Sequence, residues 1–211
     1  MADKKLIAIC QRHGQTTLNA KKSFRGRLDP PLDAKGLSQA EDAADALKNE
    51  GIEVERVISS PLLRAVQTAD EIADTYDLEV MQDRGLISWD VGFLGGKNKE
   101  DFNEILNYFI KNSKSKIPDG ESLDDLEQRT YEFFDKELRD DKLTVFVTHN
   151  SNIVCPTARG FIRDSVRRGF EHSGFSVEDD RVLVREKIVR RYTSVADFNL
   201  QIRAIVDQIL G

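Results

Sequence analysis

Apolar positions along this chain fall into short continuous runs separated by stretches with helical spacing. Leu6 to Cys10 is an apolar run that reads as a buried strand. Leu37, Ala40, Ala44 and Leu47 then recur at helical intervals behind Asp33, whose carboxylate suits an N-cap, and Gly51 falls where that helix would stop. Val54 to Ile58 forms the next run. It ends in Ser59-Ser60-Pro61, a serine N-cap with proline at the first helical position, and Ala65, Ala69, Ile72 and Ala73 continue that helix inward. Leu78 to Met81 reads as a short third strand, and Phe102, Ile105, Leu106, Phe109 and Ile110 fit an amphipathic helix. Ser122 with Asp125 resembles a capping box for a helix marked by Leu123, Leu126, Phe133 and Leu138. Leu143 to Val147 is the clearest strand, and Pro156 would interrupt any helix begun near Ser151. In the tail, Phe175-Ser176-Val177 and Val182-Leu183-Val184 read as a hairpin or sheet-edge pair around Asp179-Asp180. Ser194 and Asp197 suggest the cap of a final helix through Ile202, Ile205 and Ile209.

Strand and helix in alternation predict a three-layer α/β/α fold with a largely parallel central sheet. Its ligand site is expected at the carboxyl ends of the strands. One domain over residues 1–211 is expected, with 97–117 as an inserted cap segment and 174–211 as a C-terminal hairpin and helix. No internal repeat or low-complexity linker breaks the chain.

Composition narrows the class. A hydrophobic fraction of 39% with 32% charged residues suits a globular protein, and no apolar run approaches the roughly 20 residues of a membrane span. Met1-Ala2-Asp3-Lys4-Lys5 leads into the first strand without a signal-peptide pattern. Cys10 and Cys155 make neither a disulfide framework nor zinc spacing, so a reducing cytoplasm is the expected compartment. A net charge of −6 argues against nucleic-acid or anionic-membrane partners while leaving room for a local basic pocket.

Such a pocket is written at the strand ends. Arg12 and His13 follow the first strand, Arg64 falls in the first turn of the helix after the second, and His149 follows the strand at 143–147. An arginine at the positive end of a helix dipole makes sense when an anion docks there. Two arginines can fork onto phosphate oxygens, histidines add donors, and one imidazole can attack phosphorus covalently. No G-x-S-x-G elbow supports a serine hydrolase, and the histidines sit beside arginines rather than carboxylates, which disfavours a metal site.

These residues resemble the histidine phosphatase (phosphoglycerate-mutase-like) superfamily. The R-H-G-x-T-x-x-N signature stands as Arg12, His13, Gly14, Thr16 and Asn19, and G-x-x-D-x-P-L as Gly26, Asp29, Pro31 and Leu32. Ser59, Ser60, Pro61, Arg64, Ala65, Gln67, Thr68 and Ala69 carry a third segment, Pro118 to Ser122 a fourth, and His149 is the second histidine. The resemblance implies that His13 is the nucleophile that becomes phosphorylated. It implies that Arg12, Arg64 and His149 bind the phosphoryl group, and that Thr16, Asn19, Arg25, Gly26 and Asn150 line the substrate side. It implies no metal and no organic cofactor.

The departures are as informative. The resemblance places the usual glutamate proton donor four residues before Gly92, where this chain has Ser88, and Asp90 is the nearest substitute. Asn150 stands where a glycine usually follows the second histidine. Lys111, Lys114 and Lys116 form a cluster that is either a solvated face or a roof over an anionic substrate. The expected function is a cofactor-independent phosphatase, a phosphoric monoester hydrolase acting on a small phosphorylated substrate as monomer or homodimer. A mutase of the same chemistry is one alternative. A phosphate-binding or scaffolding protein with lost catalysis, motivated by Ser88, is the other.

Overall fold

The computed structural model describes residues 8–139, 142–154, 176–178, 181–183 and 189–190. Strand β1 (Ala8–Arg12) leads through a short helix α1 (Thr17–Ala20) to α2 (Ala34–Asn49). Then come β2 (Arg56–Ser59), α3 (Leu63–Thr75), β3 (Val80–Gln82), α4 (Lys99–Lys111) and α5 (Leu123–Glu137). Strand β4 (Thr144–Thr148) is followed by α6 (Asn150–Val154), and β5 (Ser176–Glu178), β6 (Arg181–Leu183) and β7 (Val189–Arg190) complete the described elements. The sheet runs β3-β2-β4-β1-β7 with every neighbouring pair parallel, and β5 and β6 pair antiparallel as the expected hairpin. Cys155, Pro156 and the expected helix through Ile202, Ile205 and Ile209 lie outside the described residues.

Period-two alternation in the strands builds the three layers. Ile9, Val57, Val145 and Val147 point to one face, where Ala44, Leu47, Ala65, Ala69 and Ile72 of α2 and α3 cover them. Ala8, Cys10, Ile58 and Phe146 point to the other, against Leu86, Phe133 and Phe134. A sheet buried on both sides reads as continuous apolar runs, which is why β1 and β4 were legible. A third cluster joins Phe24, Trp89, Val91, Leu94, Ile117, Leu123 and Leu126, with Phe102, Leu106 and Phe109 of α4 packed on it. Within the 97–117 segment, Lys99–Lys111 is helical as expected, but Ile105 and Ile110 stay exposed.

The predicted caps divide instructively. The Asp33 carboxylate accepts from the Gly36 amide at 2.9 Å, and Ser122 and Asp125 cap each other reciprocally. The serine cap expected on α3 does not form, because that helix starts at Leu63 and its N-cap, Leu62, contributes no side-chain bond. The Leu63 amide instead donates to Asp29 Oδ1 at 2.7 Å. Ser60 is thereby released for the site described next.

Candidate active site

Sheet register assembles the site. Arg12 pairs with Thr148 across β1 and β4, so the next residue of each strand, His13 and His149, emerges beside the other. The His13 amide donates to the Thr148 carbonyl at 3.1 Å, and the two imidazole centroids lie 5.1 Å apart. On the far side of β4, Ser59 pairs with Val147, which brings Ser60 alongside His149, with Ser60 Oγ 2.7 Å from His149 Nε2. The turn after β1 must pass very close to α2. A Cβ on Gly14 would collide with the Gly36 carbonyl, and one on Gly36 with the Gln15 backbone, so only glycines fit.

His13 is oriented from both sides. Its Nδ1 lies 2.6 Å from the Gly14 carbonyl oxygen, which can only accept, so Nδ1 carries the hydrogen. Its Nε2 therefore presents a lone pair, and the Arg64 Nε–H donates to it at 3.3 Å. Both histidines are buried, and their pKa values are held well below the usual imidazole value. Burial is the main cause, followed for His13 by His149 and Arg64, and for His149 by Arg64 and Arg25. His13 is thus a neutral imidazole with a directed lone pair at neutral pH.

Arg64 is fully buried and held by backbone. Its Nη1 donates to the Leu28 carbonyl at 2.7 Å and its Nη2 to the Gly26 carbonyl at 3.0 Å, with Asp29 Oδ1 3.7 Å away. Gly26 adopts φ +53°, a left-handed turn that also passes tightly under Val91. Arg12 is half-buried, and its Nε makes no hydrogen bond among the described residues. Burial lowers its pKa, although a guanidinium remains charged in water-accessible proteins.

The remaining predicted residues divide between site and scaffold. Thr16 and Asn19 form a capping box on α1, with Thr16 Oγ1 donating to Asn19 Oδ1 at 2.8 Å. That bond uses the Asn19 oxygen and leaves its amide nitrogen for a ligand. Asn150 opens α6, half-buried beside His149. Arg25 is half-buried with its pKa lowered by burial and then by Arg12 and Arg64.

Ser88 is buried beside α6, its Oγ 3.4 Å from Ser151 Oγ. Asp90, expected as the substitute acid, has its carboxylate engaged elsewhere. Oδ2 faces Arg27 Nη1 at 3.1 Å and Oδ1 accepts from the Gly92 amide at 3.1 Å. Glu121 lies in the same network, accepting from Arg27 Nη2 at 2.9 Å, Arg129 Nη2 at 2.8 Å and the Asp90 amide at 3.0 Å. Arg129 also donates to the carbonyls of Gly85 and Ile87, so this network fixes the loop that carries Ser88.

Lys99, which the sequence analysis did not single out, lies close enough to Arg25 and Arg12 to feel their charges. It begins α4, is half-buried, and its pKa falls to about 8 through burial and the charges of Arg25 and Arg12. The signal available was the Gly95-Gly96 turn leading back toward Arg25. The cluster singled out instead, Lys111, Lys114 and Lys116, is exposed, and Lys116 pairs with Asp125 at 3.5 Å. Among the described residues no group of three or more His, Cys, Asp or Glu side chains could hold a metal ion. No helix among them is long and apolar enough to cross a membrane.

Residues 9–164 match the profile of the histidine phosphatase superfamily, branch 1. The chain belongs to that superfamily. A relative, the 2,3-bisphosphoglycerate-dependent phosphoglycerate mutase of Thermoplasma acidophilum, is 34% identical over 149 residues, covering 70% of this chain and 72% of that protein. The phosphoserine phosphatase of Entamoeba histolytica, solved with 3-phosphoglyceric acid, superposes with a TM-score of 0.63 at 26% identity, over 74% of this chain and 79% of that one. A mycobacterial glucosyl-3-phosphoglycerate phosphatase solved with VO3 gives a TM-score of 0.63 over 76% of this chain and 82% of the other. At 24% identity that likeness supports the shared fold alone.

Proposed function

We propose that this protein is a phosphatase that transfers a phosphoryl group from a small phosphorylated substrate to His13 and then to water. The observation that carries this reading is the orientation of His13. Its Nδ1–H is bound to the Gly14 carbonyl, so Nε2 faces the buried cations as a nucleophile. Arg12 and Arg64 take the equatorial phosphoryl oxygens, and His149 and the Asn19 amide add donors as charge builds in the transition state. No metal or organic cofactor has a part in this scheme. The 97–117 segment acts as a cap on the substrate side, through α4 and Lys99.

Asp90 serves in this reading as a brace, through Arg27, for the loop that carries Ser88. Transfer to a second hydroxyl of the substrate is the alternative fate of the phosphohistidine, and the mutase names of the curated relatives favour it. A test separates the two. Phosphate release from p-nitrophenyl phosphate that is lost in His13→Ala supports the phosphatase. Interconversion of phosphoglycerates faster than phosphate release supports the mutase.

A further inference from the structure

Among the described residues the site gathers more positive charge than one phosphoryl group requires, and the carboxylate nearest Arg64, that of Asp29, already accepts from the Leu63 amide. The backbone of 22–24 pairs with 96–99: the Phe24 amide donates to the Lys97 carbonyl at 2.9 Å, Gly96 to Phe24 at 2.8 Å and Lys99 to Lys22 at 3.0 Å. This seam carries Arg25 on one side and Lys99 on the other, and the next residue along, Gly26, presents its carbonyl to Arg64. Among the described residues no carboxylate pairs with Arg12, Arg25 or Lys99. Unpaired half-buried cations are costly unless an anion arrives.

The acid side is equally distinctive. Ser88 offers a hydroxyl held near Ser151, far too weak an acid to replace a carboxyl group. All four oxygens of Asp90 and Glu121 already face N–H donors from Arg27, Arg129, Gly92 and Asp90. With Ser88, Asp90 and Glu121 unable to donate, a departing alkoxide goes without the acid assistance that is worth about 10² to 10⁴ in rate.

We propose that the substrate is an anhydride, in which the phosphoryl group is carried by a weakly basic oxyanion, and that Arg25 and Lys99 hold this oxyanion as it departs. The proposal rests on the phosphohistidine reading above. His13 Nε2 forms a bond to phosphorus while the bridging P–O bond breaks, and its electron pair stays on the leaving oxygen as carboxylate or phosphate. That group needs no proton. Water then attacks the phosphohistidine, the P–N pair returns to Nε2, and both hydrogens of water leave with the inorganic phosphate.

The test compares kcat/KM of the full chain on acetyl phosphate, inorganic pyrophosphate and glycerol 3-phosphate, with rapid-quench detection of phospho-His13 for each. An anhydride turned over about 10²-fold or more faster than the ester supports the proposal. Acetyl phosphate or pyrophosphate as the better arm tells carboxylate from phosphate. Arg25→Gln and Lys99→Gln are expected to lower the anhydride-to-ester ratio, and Ser88→Glu to lower it by raising turnover of the ester. Glycerol 3-phosphate used as well as the anhydrides, with phospho-His13 formed, overturns this inference alone. Absence of phospho-His13 from all three compounds overturns the reading beneath it.

Discussion

His13 and Gly14 are joined by a hydrogen bond from a ring nitrogen to the neighbouring carbonyl, 2.6 Å long. That contact fixes the tautomer, and the tautomer fixes which nitrogen meets phosphorus. His13→Ala is therefore expected to lower phosphate release from p-nitrophenyl phosphate by about 10³-fold or more while leaving the fold intact. Steady-state assay together with circular dichroism checks it. Retained turnover in the variant would remove His13 from the chemistry.

The two buried histidines set an acid limit on stability. Both are held neutral in the folded state, with pKa values well below the unfolded value near 6.5. Above that value neither state binds the protons, and the folded state keeps its full stability. Below it the unfolded chain takes up protons that the folded chain refuses, so stability falls as pH falls toward the folded pKa values. Each histidine contributes a slope of about 1.4 kcal/mol per pH unit in that window. Urea unfolding between pH 7 and 5 in phosphate-free buffer should show the loss, and His149→Gln should reduce its slope.

Arg64 has structural and functional duties that a lysine cannot share. Its Nη atoms satisfy the carbonyls of Leu28 and Gly26 while Nε faces His13. Arg64→Lys leaves at least one buried carbonyl without a donor, which costs about 1–3 kcal/mol. Vanadate binding should weaken in the same variant, because a single ammonium cannot reproduce the guanidinium fork. Chemical denaturation and vanadate titration test the two effects separately.

Strands β1 to β4 and helices α2 to α5 were legible because they follow from local periodicity, whereas the short α1 and β7 were not. Ile9, Val57, Val145 and Val147 announce a doubly covered sheet, and Asp33 and Ser122 sit where caps are needed. What the one-dimensional pattern hid is contact between distant segments. Asp29 caps α3 from 34 positions away, which frees Ser60 for His149. Asp90 reads in the sequence as an available acid, but the fold turns both its oxygens toward Arg27 and the Gly92 amide. Lys99 was hidden because its significance depends on Arg25 and Arg12, which the fold brings near it.

The network around Asp90 yields a discriminating prediction. If Asp90 braces the Ser88 loop, Asp90→Asn lowers turnover of good and poor leaving groups by the same factor, about 10-fold or less. A loss confined to poor leaving groups would assign it the proton-donor role. Aryl phosphates of graded phenol acidity provide the series.

Lys99 should appear as an alkaline limb. Its pKa of about 8 means that the free enzyme loses this positive charge above that pH. On an anionic substrate kcat/KM is expected to decline above pH 8, since that parameter reports groups of the free enzyme. In Lys99→Gln the decline should disappear and the plateau should lie lower. An unchanged profile in the variant would assign the limb to another group.

The most direct test of the account is capture of the phosphoryl group itself. The full chain is mixed with a labelled phosphoryl donor, quenched within milliseconds in alkali, and digested for mass spectrometry. The account predicts an acid-labile, base-stable phosphate on the peptide containing His13, absent in His13→Ala and increased in His149→Gln if hydrolysis slows more than transfer. Turnover without any phosphorylated His13 peptide, or with the label on another residue, would contradict it.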